Sequence, residues 1–226
     1  MTIESEEATT RYRGNDSKVR GEQHVDPAFL HLVPEDEDIM SSGPCFDIKL
    51  RERLQDSGIW VTTLERESAQ SLSAPGRTDG KGLKFATDWH TEDPYLEAVR
   101  SPSMEVAIDP AVGLIDGSEY KGFIELMLIV DRYSRQIARR YPGVRAEIAV
   151  MPVYAELAAR YLLETGKYLF PHEGDRRFTA TATSTGRKKF ALAVAGSHSP
   201  EEGFALDTWL GIPDMRVGVM PVIVPA

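Results

Sequence analysis

Only one cysteine, Cys45, stands in the 226 residues, which excludes an intramolecular disulfide and a thiolate-rich zinc site. It follows Gly43-Pro44, and nothing beside it marks a reactive thiol, so a packed, inert side chain is expected. Long apolar runs are missing too. None, Leu126 to Val130 included, comes near the roughly 20 residues that cross a bilayer, and no membrane partner is expected. The opening Met1-Thr2-Ile3-Glu4-Ser5-Glu6-Glu7 has neither a basic nor an apolar stretch, so no secretory leader is expected. With so little cysteine, the expected compartment is a reducing cytoplasm.

Basic excess is absent as well. The formal net charge is −9. Residues 1–38 hold ten acidic residues against Arg11, Arg13, Lys18 and Arg20, which leaves the rest of the chain nearly neutral. Neither part has the basic footprint of a nucleic-acid binder.

What is present suits one ordinary domain with an appendage. Apolar residues make up 42% and charged residues 27%, enough for a real core without a metal or disulfide staple. Residues 1–44 form an acidic arm, poor in apolar residues and without periodicity, expected to be disordered or ordered only by a partner. Its one apolar island, Phe29-Leu30-His31-Leu32-Val33, makes Phe29, Leu30, Leu32 and Val33 the candidate partner-binding residues. Residues 45–226 are read as a single α+β domain closing in an extended strand.

Within that domain, residues 47–57 read as a short helix with Ile48, Leu50 and Leu54 on its apolar side, stopped by Gly58. Residues 59–64 are β-branched and aromatic, which predicts a strand. Ser71 to Gly82 reads as a long loop. Ser118 to Tyr141 gives the strongest helical signal. Phe123, Leu126, Met127, Val130, Tyr133, Ile137 and Tyr141 recur at three- and four-residue steps. Asp116 is the expected N-cap with Glu119 completing a capping box, and Arg132, Arg135, Arg139 and Arg140 sit where cations complement the helix dipole. Residues 144–150 alternate as a strand. A second helix opens at Pro152 and runs to Thr165, burying Tyr154, Leu157, Ala158, Tyr161 and Leu162, with a left-handed cap at Gly166. Residues 178–183 and 190–194 predict a hairpin, with Thr179, Thr181 and Thr183 on one face. Arg216 to Val224 is interrupted by Pro221, which predicts an edge strand or an extended arm. The element order predicts an α+β fold: a mixed or mostly antiparallel sheet with two main helices packed on one face.

Chemistry is harder to find. Gly-x-Ser-x-Gly is absent, so no nucleophile elbow is readable. Gly76 to Gly82 is glycine-rich but lacks the spacing and the Lys-Ser/Thr ending of a phosphate loop. Trp89, flanked by Asp88 and His90, would be a binding anchor if exposed. His90, His172 and His198 each lie beside carboxylates, in predicted loops, and imidazole with carboxylate suits a divalent transition metal. A site built from His90, His172 and His198 with Asp88 or Glu92 would make the chain a metal-dependent hydrolase, although none of the clusters has His-Glu-x-x-His spacing. The reading preferred on sequence is different: a structural or interaction subunit without a cofactor, bound to other protein subunits or to itself.

Overall fold

The computed structural model describes residues 43–68, 71–72, 84–86, 99–170, 177–185 and 191–226, all within the compact unit Ser41–Ala226. In chain order the elements are α1 (Ile48–Asp56), β1 (Trp60–Glu65), β2 (Ser103–Ile108), α2 (Phe123–Arg140), β3 (Val144–Glu147), α3 (Met151–Thr165), β4 (Phe178–Ser184), β5 (Leu192–Ser199), β6 (Gly203–Trp209), β7 (Val217–Gly218) and β8 (Val222–Pro225).

The class is α+β with mostly antiparallel sheets. The strands form two four-stranded sheets, ordered β1-β2-β8-β3 and β6-β5-β4-β7. Every pair is antiparallel except β4 with β7. The Ala182 amide donates to the Ala149 carbonyl at 2.9 Å, which joins β4 to the segment after β3.

Central strands are apolar on both faces. Val106 and Ile108 of β2, Val222 and Val224 of β8, and Ala193 and Ala195 of β5 share one core cluster with Tyr154, Leu157 and Ala158 of α3. Their alternates Ala107, Ile223 and Val194 share the other with Leu126, Val130 and Ile137 of α2. The period-2 geometry of a strand sends neighbours to opposite sides, so each main helix serves a different apolar layer.

Of the C-terminal segment, expected as an edge strand or an extended arm, β7 does lie at the edge of its sheet, but β8 does not. β8 is a central strand between β2 and β3, and Val222, Ile223 and Val224 are buried. Pro221 falls between β7 and β8, where the chain leaves one sheet for the other. A proline at that joint removes no ladder donor from either sheet.

Helix starts differ in an instructive way. α2 begins at Phe123, not near Ser118: Gly122 is the N-cap, and its amide donates to Glu125 Oε2 at 3.0 Å. Residues before it serve the sheet instead, since Ser118 is buried and its Oγ accepts the Val219 amide at 3.1 Å. α3 starts at Met151 with Val150 as an N-cap that has no side-chain acceptor. Thr183 Oγ1 on β4 supplies one from across the core, accepting the Met151 amide at 2.8 Å. Thr179 and Thr181 act alike on the same buried face, the first accepting the Met220 amide at 2.9 Å, the second donating to the Ala193 carbonyl at 2.8 Å. Gly166 closes α3 at φ 69° as expected, its amide 2.9 Å from the Leu162 carbonyl.

Candidate functional site

Of the proposed metal ligands, His198 alone is described; Asp88, His90, Glu92 and His172 lie outside the described residues, as do Phe29, Leu30, Leu32, Val33 and Trp89. His198 lies within β5, not in a loop, because the β5–β6 ladder continues to the Ser199–Gly203 pair. A bulge between Gly196 and His198, with Ser197 at φ 46°, turns the strand there. The imidazole is 4% exposed and edges against Tyr168 at 4.6 Å and Phe204 at 5.8 Å between centroids. Burial pushes its pKa down to about 4, so it is neutral at pH 7. Its Nδ1 has no hydrogen-bond partner among the described residues. Two anchors converge on this aromatic cluster: Phe85 and Phe170 each lie 5.9 Å from Phe204, and the Phe170 carbonyl accepts the His198 amide at 2.6 Å. Among the described residues no three His, Cys, Asp or Glu side chains gather as a metal centre would require.

Two buried carboxylates escaped the sequence reading. Glu156 of α3 is wholly buried, and both its oxygens are used. Oε1 accepts from the Glu65 amide at 2.7 Å and Arg160 Nε at 2.9 Å, and Oε2 accepts from Ser101 Oγ at 2.6 Å. Arg160 also reaches Glu65 Oε2 at 2.9 Å. Burial alone would lower the Arg160 pKa, but Glu156 and Glu65 together raise it. Glu105 of β2 accepts the Phe46 amide at 2.8 Å and pairs with Arg51 at 2.7 Å, pinning α1 to the sheet. These oxygens are committed to tying elements together. The available signal for Glu156 was its place inside Val153–Ala158 with an arginine four residues on.

Cys45 is exposed, with Sγ 3.2 Å from the Gly43 carbonyl, where a packed thiol was expected. The helix-end arginines do structural work. Arg140 and Arg53 stack over the Tyr141 ring at 5.2 and 5.6 Å, and Arg135 pairs with Asp131.

The outward side of α2 is the unusual surface. Of ten large apolar side chains exposed among the described residues, seven belong to two adjoining segments. Tyr120, Ile124, Met127 and Leu128 come from α2 and its approach; Leu210, Ile212 and Met215 come from the link between β6 and β7. Leu128 is 60% exposed and Met215 73%. Backbone bonds lock the segments together: Phe123 N to Gly211 O at 2.9 Å and Tyr120 N to Asp214 O at 3.1 Å. Beneath them the Phe123 ring meets Trp209 at 6.2 Å, and Trp209 Nε1 donates to the Ile212 carbonyl at 2.7 Å. A cleft of about 430 Å³ lined by Ile115, Lys121, Leu128, Ile129, Arg132 and Tyr133 runs along one flank of α2. No helix among the described residues is long and apolar enough to cross a membrane. No family model, curated protein or solved structure matches the chain, so its own geometry carries the functional reading.

Proposed function

We propose that the chain is a non-enzymatic interaction subunit of a larger protein assembly, meeting another subunit through the outward face of α2 and the β6–β7 link. One observation carries this reading: apolar side chains concentrate on two segments that backbone hydrogen bonds hold rigid. Contiguous exposed apolar surface is rare on monomers and marks contact sites. A preformed surface also binds without the entropy cost of ordering it. A photo-crosslinking residue at position 128 should give discrete protein adducts in cells that make the chain, and one at exposed Ala182 should not. If position 128 gives none, the reading fails.

The second reading, a metal-dependent hydrolase using His90, His172, His198, Asp88 and Glu92, is supported by the unpartnered, neutral imidazole of His198. A deprotonated nitrogen is the form a divalent transition metal binds. Elemental analysis of untagged protein is its test. Less than about a tenth of an equivalent of metal, with no rise in melting temperature on adding one, rejects it, because a bound metal stabilises by mass action.

A further inference from the structure

Each sheet has two outer strands, and among the described residues the chain itself closes three of these four edges. Beside β3, Ser134 Oγ on α2 accepts the Ala146 amide at 2.8 Å. Beside β6, the Phe204 amide donates to the Lys84 carbonyl at 2.8 Å, and the Phe204 carbonyl accepts the Ala86 amide at 2.9 Å. Just beyond β7, the Val219 carbonyl accepts the Ile115 amide at 2.9 Å and the Val219 amide donates to Ser118 Oγ at 3.1 Å. β1 is the exception. Glu105 and Ala107 of β2, which stand opposite Thr63 and Val61, turn their backbone groups the other way, toward Pro44 and β8. Directly opposed residues of an antiparallel pair either bond each other or both point outward. Val61 and Thr63 therefore aim their amides and carbonyls away from the sheet. The next outward amide, that of Glu65, is capped by Glu156 Oε1 at 2.7 Å. Those of Val61 and Thr63 have no such partner among the described residues. Proline, lysine and bulges are the usual guards of an open edge, and β1 has none of them from Trp60 to Glu65.

We infer that the open edge of β1 receives an extended segment of another protein, which joins this sheet as a fifth strand. The site shares no residue with the α2 face and goes beyond that reading. Its open groups alternate donor and acceptor, and another extended backbone matches them in kind and spacing. Side chains set the rest. Glu156, Arg160 and Glu164 of α3 form a row that reaches Glu65 and Trp60. Leu163, 44% exposed, stands on the side of this row away from buried Leu157. An apolar side chain of the added strand covers it, while exposed Thr63 looks to the opposite sheet face. The segment that fits thus alternates apolar and polar residues. A second copy fits less well: the register that engages both open residues sets Thr62 against Thr62, with nothing apolar for Leu163. Two open residues make a weak contact alone, so this site supplements the α2 face.

Amide hydrogen exchange of the full chain, read by NMR, tests this with a capped seven-residue peptide alternating isoleucine and threonine between terminal lysines. In the free chain the Val61 and Thr63 amides should exchange at least about tenfold faster than those of Thr62 and Leu64, which face β2. The peptide at about 1 mM, the weak end of specific binding, should slow both amides about tenfold. The same peptide N-methylated at alternate residues should leave them unchanged, because one edge of its backbone no longer donates. Rates that the unmodified peptide does not alter overturn the strand site. Protection of both amides that rises with chain concentration, without peptide, assigns the edge to a second copy and overturns the foreign segment. Val61→Pro removes an amide that bonds to nothing in the fold, so it should keep its circular dichroism and lose the peptide's protection of Thr63. Full protection in that folded variant contradicts the site. The crosslinks at position 128 test the α2 face separately.

Discussion

Arg160→Ala isolates what the buried ion pair contributes. Glu156 is 0% exposed and Arg160 18%, so the pair is shielded from the solvent screening that weakens surface bridges. Removing one partner of a buried pair costs about 3–5 kcal/mol, since the remaining charge stays desolvated. Glu156 keeps two further donors, the Glu65 amide at 2.7 Å and Ser101 Oγ at 2.6 Å. The lower end, about 3 kcal/mol, is therefore expected. For a domain of this size that lowers the melting temperature by about 6–12 °C. Arg135→Ala is the matched control, because its partner Asp131 is also four residues away but both side chains are more than half exposed. Its expected cost is below about 0.5 kcal/mol. Urea titrations at pH 7 measure both. If Arg160→Ala costs less than about 1 kcal/mol, the value of a surface pair, the claim that this network holds α3 to β1 and the segment before β2 is refuted.

Three other perturbations follow from the geometry. Thr183→Val removes the acceptor for the Met151 amide and should cost about 1–2 kcal/mol in chemical denaturation, with Thr183→Ser retaining most of it. Gly196→Ala would drive a methyl into the Arg177 carbonyl just before β4, and calorimetry should show a loss of at least about 2 kcal/mol. His198 is depressed to about 4 by burial, so the folded state binds fewer protons than the unfolded one. The stability this confers is complete above about pH 6.5 and is lost as pH falls through about 4. His198→Leu should lack this component of the pH dependence. A wild-type imidazole that titrates near its ordinary value by NMR would contradict the buried, neutral assignment.

Much of the framework was readable because local chemistry decided it. Asp47 accepts the Lys49 amide, Gly58 turns at φ 82° and Gly166 caps α3, each as its residue type dictates. The hairpin of β4 and β5 followed from alternation and a glycine-bearing link. Long-range partners were not readable. Pro221 looks the same whether it interrupts an edge strand or joins two sheets, and only the packing of β8 between β2 and β3 distinguishes them. Asp116 has the right chemistry for an N-cap, yet Ser118 is drawn inward by the Val219 amide and the helix starts later.

Site legibility had the same limit. Periodicity on α2 found the buried Leu126, Val130 and Ile137 but also assigned Met127, which is exposed. It passed over Ile124 and Leu128 because residues off the apolar stripe are assumed to be solvated. Two apolar residues one turn apart on the far side were the signal for a second face. Leu210, Ile212 and Met215 join that face only through the tertiary bonds at Gly211 and Asp214.

The most direct measurement is the native size of the protein in extracts of cells that make it, with and without Ile124→Glu and Leu128→Glu. The wild type should sediment as a particle larger than its 25.1 kDa chain, and the double variant should fall to chain size with its circular dichroism unchanged. Identical sedimentation of the two proteins would show that the outward face of α2 holds no partner.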